Sequence, residues 1–361
     1  MSRAKHSKQS PRHPGLTLRN SRRSLPSWAT LQPPIFDPAH GESALQETLR
    51  DMTGMSVAVT GATGLLGGYL VRALLQRGAH PIAVVRETSL VSPLVNAGVE
   101  VRHAELDDVE ALAKAFVGAD CVVGNAALVS LRPHPFSRYL AANVDGTIHV
   151  IEAMRAAQVS RGIHISTVGI YNGHTPPVDE DHPRYGEAHR QHRLNGYKVS
   201  KALAEETAWR YAAKYEIGLT TLRPSVMYGA FDRYFGAWHR KAIRLRPFAF
   251  HPYLSRFCLV YAGDVANAAM LCIENPISDG KAYNVTGEDL RLREFTKAWC
   301  EQDPSAQDKR LPLPIYYRRH YASGRIRRDL GWKTRSYSEG IRETLALESS
   351  PSVVGPETTE A

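Results

Sequence analysis

Short apolar segments rich in β-branched residues alternate with longer segments of helical periodicity from Met55 to about Thr221. The apolar segments predict six strands, at 55–60, 81–86, 99–103, 120–124, 161–166 and 217–222. The segments with helical spacing predict four helices, at 65–77, near 108–117, at 137–158 and at 196–215. A regular alternation of this kind predicts an α/β fold with a doubly wound parallel sheet and helices on both of its faces.

A glycine-rich turn joins the first predicted strand to the first predicted helix. Glycines allow a tight turn and the close approach of a pyrophosphate, whose charge then lies at the positive end of the helix. Because a strand precedes the turn and a helix follows it, we predict a dinucleotide site in a Rossmann-type fold. Its candidate residues are Gly61, Thr63, Gly64, Leu65, Leu66 and Gly67.

The alternation stops after Arg223-Pro224, and residues 226–257 are rich in aromatic and basic side chains. A helix near 263–275, a strand near 282–285 and helices near 292–302 and 336–347 then predict a smaller C-terminal lobe that binds substrate. The chain is thus expected to contain a basic disordered extension, a nucleotide-binding domain, this substrate-binding lobe, parts of which return to the core, and a C-terminal tail. Their boundaries are 1–54, 55–225, 226–347 and 348–361.

The segment 172–195 is polar and proline-rich, with little periodicity. A loop of this length between a strand end and a helix indicates a functional or mobile segment at the carboxyl edge of the sheet. His182, His189 and His192 lie in it near acidic residues, but no metal-ligand spacing repeats. A solvated polar loop is therefore favoured over a metal site, and no metal ligand is assigned.

The formal net charge of +9 is concentrated in residues 1–36, which contain seven Lys or Arg residues and no acidic residue. The whole chain contains 45 basic and 36 acidic residues. Without the seven basic residues of this segment the two kinds of charge nearly balance, which gives no basic face for nucleic acid. The extension is favoured as a dispensable segment before a translation start at Met52 or Met55, with an organellar transit peptide as the alternative. A twin-arginine export signal in the extension is disfavoured, because prolines interrupt the apolar run that such a signal needs.

No stretch approaches 18 apolar residues, so no membrane span is predicted. The four cysteines, Cys121, Cys258, Cys272 and Cys300, show no paired spacing and indicate structural thiols in a reducing compartment. These features predict a cytoplasmic protein, with organellar import through the extension as the alternative.

The sequence Tyr197-Lys198-Val199-Ser200-Lys201 opens a predicted helix and suggests acid–base chemistry. Positions i and i+4 share a helix face, so the Lys201 ammonium is expected to lie near the Tyr197 phenol and to lower its pKa. A phenol with a lowered pKa can exchange a proton near neutral pH. The spacing alone does not decide between this pair and a solvated helix face. The hydroxyls of Ser166 and Thr167, which end a predicted strand, are candidates for binding a substrate oxygen.

The chain resembles the extended (atypical) short-chain dehydrogenase/reductase family, of the NAD-dependent epimerase/dehydratase type, over nearly all of residues 55–345. The pattern is most similar to members that act as 3β-hydroxysteroid dehydrogenases or dihydroflavonol reductases. The family's landmarks occur in order: Gly61-x-x-Gly64-x-x-Gly67, Glu105-Leu106-Asp107-Asp108, Asn125-Ala126-Ala127, Asn143-Val144-Asp145-Gly146-Thr147, Tyr197-x-x-x-Lys201, Arg223-Pro224 with Tyr228-Gly229, Val260 to Ala266, and Tyr283 to Gly287.

This resemblance implies the catalytic residues Thr167, Tyr197 and Lys201. Thr167 aligns with the family's serine, and Gly196 stands where many relatives have proline before the tyrosine. The resemblance also implies cofactor contacts beyond the glycine turn, at Glu105, Leu106, Asn125, Ala126, Ala127, Asn143, Tyr197, Lys201 and Pro224.

The end of the second predicted strand bears on the choice of cofactor. Sites for NAD place an acidic residue there to bind the ribose 2′-hydroxyl. Val85 occupies that place here, and Arg86 follows, which resembles the NADP-dependent reductases, whose guanidinium pairs with the 2′-phosphate. Glu87 opposes this argument, because its carboxylate can repel the phosphate or bind a hydroxyl. NADP is favoured over NAD.

The favoured function is an NAD(P)-dependent oxidoreductase that interconverts a secondary alcohol and a ketone on an apolar or ring-shaped small molecule, with Tyr197 exchanging the proton. One alternative is a nucleotide-sugar epimerase or dehydratase with tightly bound NAD. Five arginines are candidates for its diphosphate site, namely Arg233, Arg240, Arg244, Arg246 and Arg256. A non-catalytic binding subunit is disfavoured by the intact Tyr197 and Lys201 pair. The resemblance is compatible with a homodimer, and substrate identity, direction and stereochemistry stay open.

Overall fold

The computed structural model describes residues 52–129, 134–173, 176–189, 196–244, 255–306 and 320–349. The predicted extension, residues 1–54, and the predicted tail, residues 348–361, lie almost entirely outside these ranges. The domain boundaries proposed from the sequence stay predictions.

Strands and helices alternate through the first part of the described chain. The strands are β1 Ser56–Thr60, β2 His80–Val85, β3 Glu100–His103, β4 Cys121–Gly124, β5 Arg161–Ile165 and β6 Gly218–Pro224. The helices are α1 Leu65–Gln76, α2 Ser92–Asn96, α3 Val109–Phe116, α4 Phe136–Tyr139, α5 Gly146–Ala156 and α6 Gly196–Lys214, and a π-helix, Leu140–Asp145, joins α4 to α5.

The second part begins with a short strand and ends with a helix. Its elements are β7 Val226–Tyr228, α7 Phe235–Arg244, β8 Arg256–Tyr261, α8 Ala262–Glu274, β9 Ala282–Val285, β10 Asp289–Arg291, α9 Leu292–Gln302, α10 Gly324–Leu330 and α11 Tyr337–Ser349. The predictions for α8, β9, α9 and α11 are confirmed, whereas α2, β7, α7, β8, β10 and α10 were not predicted from the sequence.

A seven-stranded parallel sheet has the order β3-β2-β1-β4-β5-β6-β9, which confirms the predicted doubly wound fold. The last strand, β9, comes from the C-terminal part of the chain and pairs with β6. A smaller sheet has the order β10-β8-β7. Successive strands are added toward one edge of the large sheet up to β3 and toward the other edge from β4 onward, so the strand order reverses between β1 and β4. Ligands of such sheets bind in the crevice there, at the carboxyl ends of the strands.

Apolar side chains cover both faces of the large sheet. Val57 and Val59 of β1 belong to a core that includes residues of α1 and α8. Ala58, between them, belongs to a second core with residues of α3, α5 and α6. Alternate residues of a strand point to opposite faces, so a strand buried on both sides is apolar throughout. This is why the strands read as continuous apolar segments in the sequence.

A side-chain cap marks the start of α3. The Asp108 side chain caps α3 by accepting a hydrogen bond from Ala111 N at 2.9 Å. Within α3, Glu110 and Lys114 form an i, i+4 ion pair.

Cys121 and Cys272 are buried free thiols in a strand and a helix, as predicted. Among the described residues, no helix is both long and apolar enough to cross a membrane.

Candidate functional site

The glycine turn between β1 and α1 has a backbone that other residues cannot adopt. Gly61 has φ +66°, and a Cβ there would lie 3.0 Å from Ala126 Cα. A Cβ on Gly67 would lie 2.2 Å from Gly61 O, so the helix can approach the turn only with glycine at this position. The first turn of α1 contains no acidic residue. The N-terminus of α1 is therefore free to attract an anion through its amide groups.

The segment after β4 lies directly against this turn. Asn125 N and Ala126 N both donate to Thr60 Oγ1, at 3.0 and 3.1 Å, and Asn125 Nδ2 donates to Gly61 O at 3.2 Å. The structure thus brings Asn125, Ala126 and the neighbouring Ala127 together with the glycine turn. Direct cofactor contacts of these residues, and of Thr63, Gly64, Leu65 and Leu66, stay predictions.

Glu105 and Leu106 follow β3, on the same edge of the sheet. Glu105 is exposed, and its carbonyl accepts a hydrogen bond from Asp108 N at 3.2 Å. Leu106 is partly buried against Gly146 of α5, and its carbonyl lies 2.7 Å from His149 Nδ1. Leu106 therefore helps to position α5, while Glu105 is open to a ligand.

Thr167 and Tyr197 present partly exposed hydroxyl-bearing side chains at the carboxyl edge, at the end of β5 and in the first turn of α6. Thr167 Oγ1 accepts a hydrogen bond from Gly169 N at 3.1 Å, which fixes its rotamer at the start of a 3₁₀ turn. The neighbouring Ser166 is only 5% exposed. Of the two hydroxyls that end this strand, Thr167 is the accessible one.

Lys201 is 3% exposed and lies one helical turn after Tyr197. Its ammonium donates to the carbonyl of Ile165 at 2.7 Å, so α6 and β5 are joined beneath the site. Burial lowers the pKa of Lys201 from its ordinary value of 10.5 to about 8, and the nearby Glu205 carboxylate opposes the shift. The ammonium is charged at neutral pH.

The expectation of a lowered phenol pKa is wrong for the chain without cofactor. Burial raises the pKa of Tyr197 to about 12, and the nearby phenols of Tyr234 and Tyr139 add to the shift. Desolvation disfavours a phenolate, and the Lys201 ammonium is directed at the Ile165 carbonyl. In this state Tyr197 keeps its proton at neutral pH.

Asn143 lies in the π-helix between α4 and α5 and is 2% exposed. Its amide oxygen accepts from Leu128 N at 2.7 Å, and its amide nitrogen donates to Ser200 Oγ at 2.9 Å. The side chain therefore connects the segment after β4 to α6. A direct contact of Asn143 with the cofactor stays a prediction.

Pro224 ends β6, pairs with Val285 and is buried. It thus lies at the carboxyl edge of the sheet, while the preceding Arg223 points into the interior, 2% exposed.

A buried charge cluster beneath α6 was not predicted from the sequence. Glu205 is fully buried, and Arg223 donates to both of its carboxylate oxygens, at 2.6 and 3.1 Å. Arg184 forms a second ion pair with Glu205. These guanidiniums hold the pKa of Glu205 at about 2, although burial alone raises it. Glu205 follows Lys201 by four residues, as Lys201 follows Tyr197, and this spacing was the available signal.

The cluster also fixes the long loop predicted at 172–195. Arg223 Nη1 donates to Tyr171 Oη at 2.7 Å and to the carbonyl of Glu180 at 2.9 Å. The Glu180 carboxylate accepts a hydrogen bond from Asn284 N of β9 at 2.9 Å. The described part of the loop, residues 172–173 and 176–189, is therefore tied to β6, β9 and α6.

Two of the three loop histidines lie in the described residues and contact other loop residues. His182 pairs with Asp179, and His189 lies 2.7 Å from Asn172 Nδ2. His192 lies outside the described residues. In the part of the chain that the structure describes, no group of three His, Cys, Asp or Glu side chains is arranged to bind a metal ion.

The aromatic residues after Pro224 divide between core and surface. Tyr228 is buried and packs edge-on against Phe295, with ring centroids 4.9 Å apart. Tyr234 and Trp238 are 40% and 43% exposed. Tyr234 Oη donates to the carbonyl of Val129 at 3.0 Å, which connects this segment to the residues after β4. Apolar surface therefore borders the site on the side of the C-terminal part.

Arg86 and Glu87 lie in an exposed turn after β2, whereas Val85 is buried in the strand. No carboxylate therefore projects from the strand end itself.

Comparison with known proteins agrees with this geometry. The model of the NAD dependent epimerase/dehydratase family matches residues 57–286. The chain is 31% identical over 249 residues to a 4-hydroxy-2-methyl-3-oxo-4-farnesyl-3,4-dihydroquinoline-1-oxide ketoreductase from Stigmatella aurantiaca, which covers 67% of this chain and 71% of that protein. It is 29% identical over 265 residues to sterol demethylase protein B from Methylococcus capsulatus, with coverages of 72% and 78%.

The fold is shared with solved structures. The structure of UDP-glucuronic acid 4-epimerase from Bacillus cereus in complex with NAD aligns with a TM-score of 0.68 and 21% identity, over 80% of this chain and 97% of that chain. The resemblance deduced from the sequence motifs is thereby confirmed, and this chain belongs to the NAD dependent epimerase/dehydratase family.

Proposed function

We propose that this protein is an NAD(P)-dependent reductase that converts a ketone on an apolar or ring-shaped small molecule to a secondary alcohol. The proposal rests on three features of the carboxyl edge: a partly exposed Tyr197 in the first turn of α6, an accessible Thr167 after β5, and a charged Lys201 that joins α6 to β5. A general acid must be protonated before it can donate, and Tyr197 is protonated at neutral pH in the chain without cofactor.

The nicotinamide cofactor supplies the hydride when it is bound. Thr167 hydrogen-bonds the carbonyl oxygen of the substrate and orients it toward Tyr197. Tyr197 donates its proton to that oxygen as the carbonyl carbon is reduced, which leaves a phenolate. The Lys201 ammonium turns from the Ile165 carbonyl toward this phenolate and stabilises it until solvent restores the proton. Oxidation of the alcohol follows the same steps in reverse.

NADP is the proposed cofactor. The support is the pair of Val85 and Arg86, which offers a cation and no carboxylate at the end of β2. A phosphate at the ribose 2′ position is favoured by that charge, and a bare 2′-hydroxyl gains nothing from it.

The substrate is proposed to be apolar because Tyr234, which contacts the segment after β4, and Trp238 and Val226 of the same part of the chain are exposed, the last to 45%. The ketoreductase from Stigmatella aurantiaca has a substrate of this kind by its name. For the second candidate, a nucleotide-sugar epimerase, the supply of cations is smaller than the sequence indicated. Arg240 pairs with Glu348, and Arg256 with Asp289. Arg246 lies outside the described residues.

A cytoplasmic location is proposed on the four free cysteines, which suit a reducing compartment. Homodimer formation stays a prediction.

The test of the function is Tyr197→Phe, with Tyr211→Phe on the same helix as the matched control. We expect kcat on apolar cyclic ketones to fall by about a hundred- to ten-thousandfold in Tyr197→Phe, because the proton donor is lost. The affinity for NADPH, measured by fluorescence titration, should stay near that of the unmodified protein. Full turnover in Tyr197→Phe, or an equal loss in Tyr211→Phe, would contradict the assignment of the proton donor.

A further inference from the structure

The carboxyl ends of β2 and β3 place a histidine beside the turn that is proposed to bind the ribose. His103 is the last residue of β3 and pairs in register with Val85 of β2. The turn after β2 then begins at Arg86, whose carbonyl accepts a hydrogen bond from Ser89 N at 2.9 Å. Neighbouring parallel strands lie about 4.8 Å apart, so His103 and this turn share one small surface.

The two charged side chains of this turn have different surroundings. The Glu87 carboxylate lies 3.6 Å from His103 Nδ1, an ion pair when the imidazole is protonated. The side chain of Arg86 forms no ion pair with any described residue. Arg102, the other cation at the end of β3, pairs with Glu100 and donates to the carbonyls of Ala115 and Val117. The anion at this edge is therefore paired, and the cation is available.

We propose that His103 is a cofactor-selectivity residue, which holds the Glu87 carboxylate against β3 and leaves Arg86 to bind a phosphomonoester at the ribose 2′ position. The inference rests on the proposed NAD(P)-dependent function and deepens it. It also answers the objection that Glu87 raised in the sequence, because a carboxylate paired with an imidazolium repels a neighbouring phosphate less than a lone one.

The expected effect is small because the groups are exposed. The side chains of His103 and Glu87 are 36% and 78% exposed, and solvent screens such pairs. A change of about three- to fivefold in NADPH affinity is the scale for an exposed ion pair. NADH lacks the 2′-phosphate, so its affinity should change less than twofold, which makes the ratio of the two affinities the informative quantity.

The experiment is a double-mutant cycle with fluorescence titration of NADPH and NADH. The variants are His103→Ala, Glu87→Gln and the two combined, measured at low salt and mildly acidic pH, because the pair is ionic only with a protonated imidazole. His80→Ala is the matched control, because His80 is an exposed histidine at the opposite end of β2. We expect His103→Ala to weaken NADPH binding about three- to fivefold when Glu87 is present, and to have no effect when position 87 is glutamine.

Three results would overturn the inference. Equal weakening of NADPH in both backgrounds means that His103 acts without Glu87, and an unchanged affinity in His103→Ala means that the pair has no role. A loss in His80→Ala of the same size would make the effect one of overall charge. Failure of the unmodified protein to bind either nucleotide would instead reject the proposed function itself, and the inference with it.

Discussion

Two charged regions lie near the carboxyl edge of the same sheet, and they differ in the burial of their charged groups. Beneath α6, Glu205 is fully buried, and the Arg223 that binds both of its oxygens is 3% exposed at its side chain. At the ends of β2 and β3, Glu87 and His103 are a loose pair, 3.6 Å apart and largely exposed. The charged groups of the first region are buried and contact one another, whereas the second region leaves Arg86 available.

Burial determines how much these charges contribute to the stability of the fold. A buried carboxylate without its partners is strongly destabilising, because desolvation of the remaining charge is no longer compensated. An exposed pair contributes little to stability, since water and salt screen it. We therefore expect substitutions in the buried cluster to change folding, and substitutions at the strand ends to change nucleotide selectivity with folding intact.

The largest effect is expected from Glu205→Gln, which removes the carboxylate that pairs with Arg223 and Arg184. The free energy of unfolding should fall by about 3–5 kcal/mol. Chemical denaturation at neutral pH measures this, with Glu206→Gln as the control, because Glu206 is the next residue on the helix and is exposed. A loss in Glu205→Gln no larger than that of the control would remove the distinction between the two regions.

The same variant carries a pH signature. The folded-state pKa of Glu205 is about 2, below its ordinary value of 4.5, so its contribution to stability is fully present above pH 4.5. That contribution is lost as the pH falls through the folded pKa, because both states then bind the proton. The stability difference between the unmodified protein and Glu205→Gln should accordingly shrink from pH 4.5 downward. A difference that is constant with pH would show that the carboxylate charge is not its source.

A smaller effect of opposite sign on the free energy of unfolding is expected from Lys201→Met. The folded-state pKa of about 8 lies below the ordinary 10.5, so the buried ammonium destabilises the fold in full below pH 8. This cost disappears as the pH rises from 8 to 10.5, because the folded state gives up its proton first. Thermal or chemical unfolding at pH 7 should show Lys201→Met more stable by about 2–3 kcal/mol.

Two observations bear on that outcome. The gain of Lys201→Met should decline above pH 8, and turnover should be lost at every pH. A variant less stable than the unmodified protein at pH 7 would mean that the hydrogen bond to the Ile165 carbonyl outweighs the burial of charge.

The smallest effect on stability is expected from Glu87→Gln in the exposed pair. Its free energy of unfolding should stay within about 0.5 kcal/mol of the unmodified protein, as is usual for exposed positions without special contacts. The same denaturation experiment measures it. A loss of several kcal/mol would place Glu87 in the same class as Glu205 and end the comparison.

Most of the sheet domain was predictable from the sequence because its strands and long helices have strong local signals, whereas the short helix α2 was not predicted. Strands buried on both faces are apolar throughout, and the glycines at positions 61 and 67 are required by the backbone at the turn. The strands were placed to within two residues and the helix boundaries to within two. The order of the strands follows from the family resemblance and from the preference for right-handed crossovers.

The elements that the sequence did not predict are short or depend on distant partners. The strands β7 and β10 contain three residues each, and β8 is stabilised by pairing with both of them. Three residues are too few for an alternating pattern to appear. The helix α7 begins in a run that also contains exposed aromatic residues, so its periodicity does not separate core from surface.

The candidate site was predictable in its residues and less so in its electrostatics. Thr167 lies after a strand end, and Tyr197 and Lys201 lie in the first turns of a helix, as the local patterns indicated, while their roles stay predictions. The pKa of Tyr197 was predicted with the wrong sign because sequence spacing shows which charges are near but not how deeply a phenol is buried. The partnership of Glu205 with Arg223 likewise joins residues that only the tertiary fold brings together.

The π-helix at Leu140–Asp145 limits how this chain can be edited. Its wider turns accommodate one residue more than an α-helix of the same rise. Deleting a single residue there would restore regular α-helical geometry and change the directions of the side chains within the segment, because consecutive residues of an α-helix are about 100° apart. Asn143 would then face away from Ser200, and the segment after β4 would lose its link to α6. A change of length that an exposed loop tolerates is therefore not tolerated here. A sequence designed on this backbone must keep the number of residues in the π-helix, which matters more than the identity of any side chain.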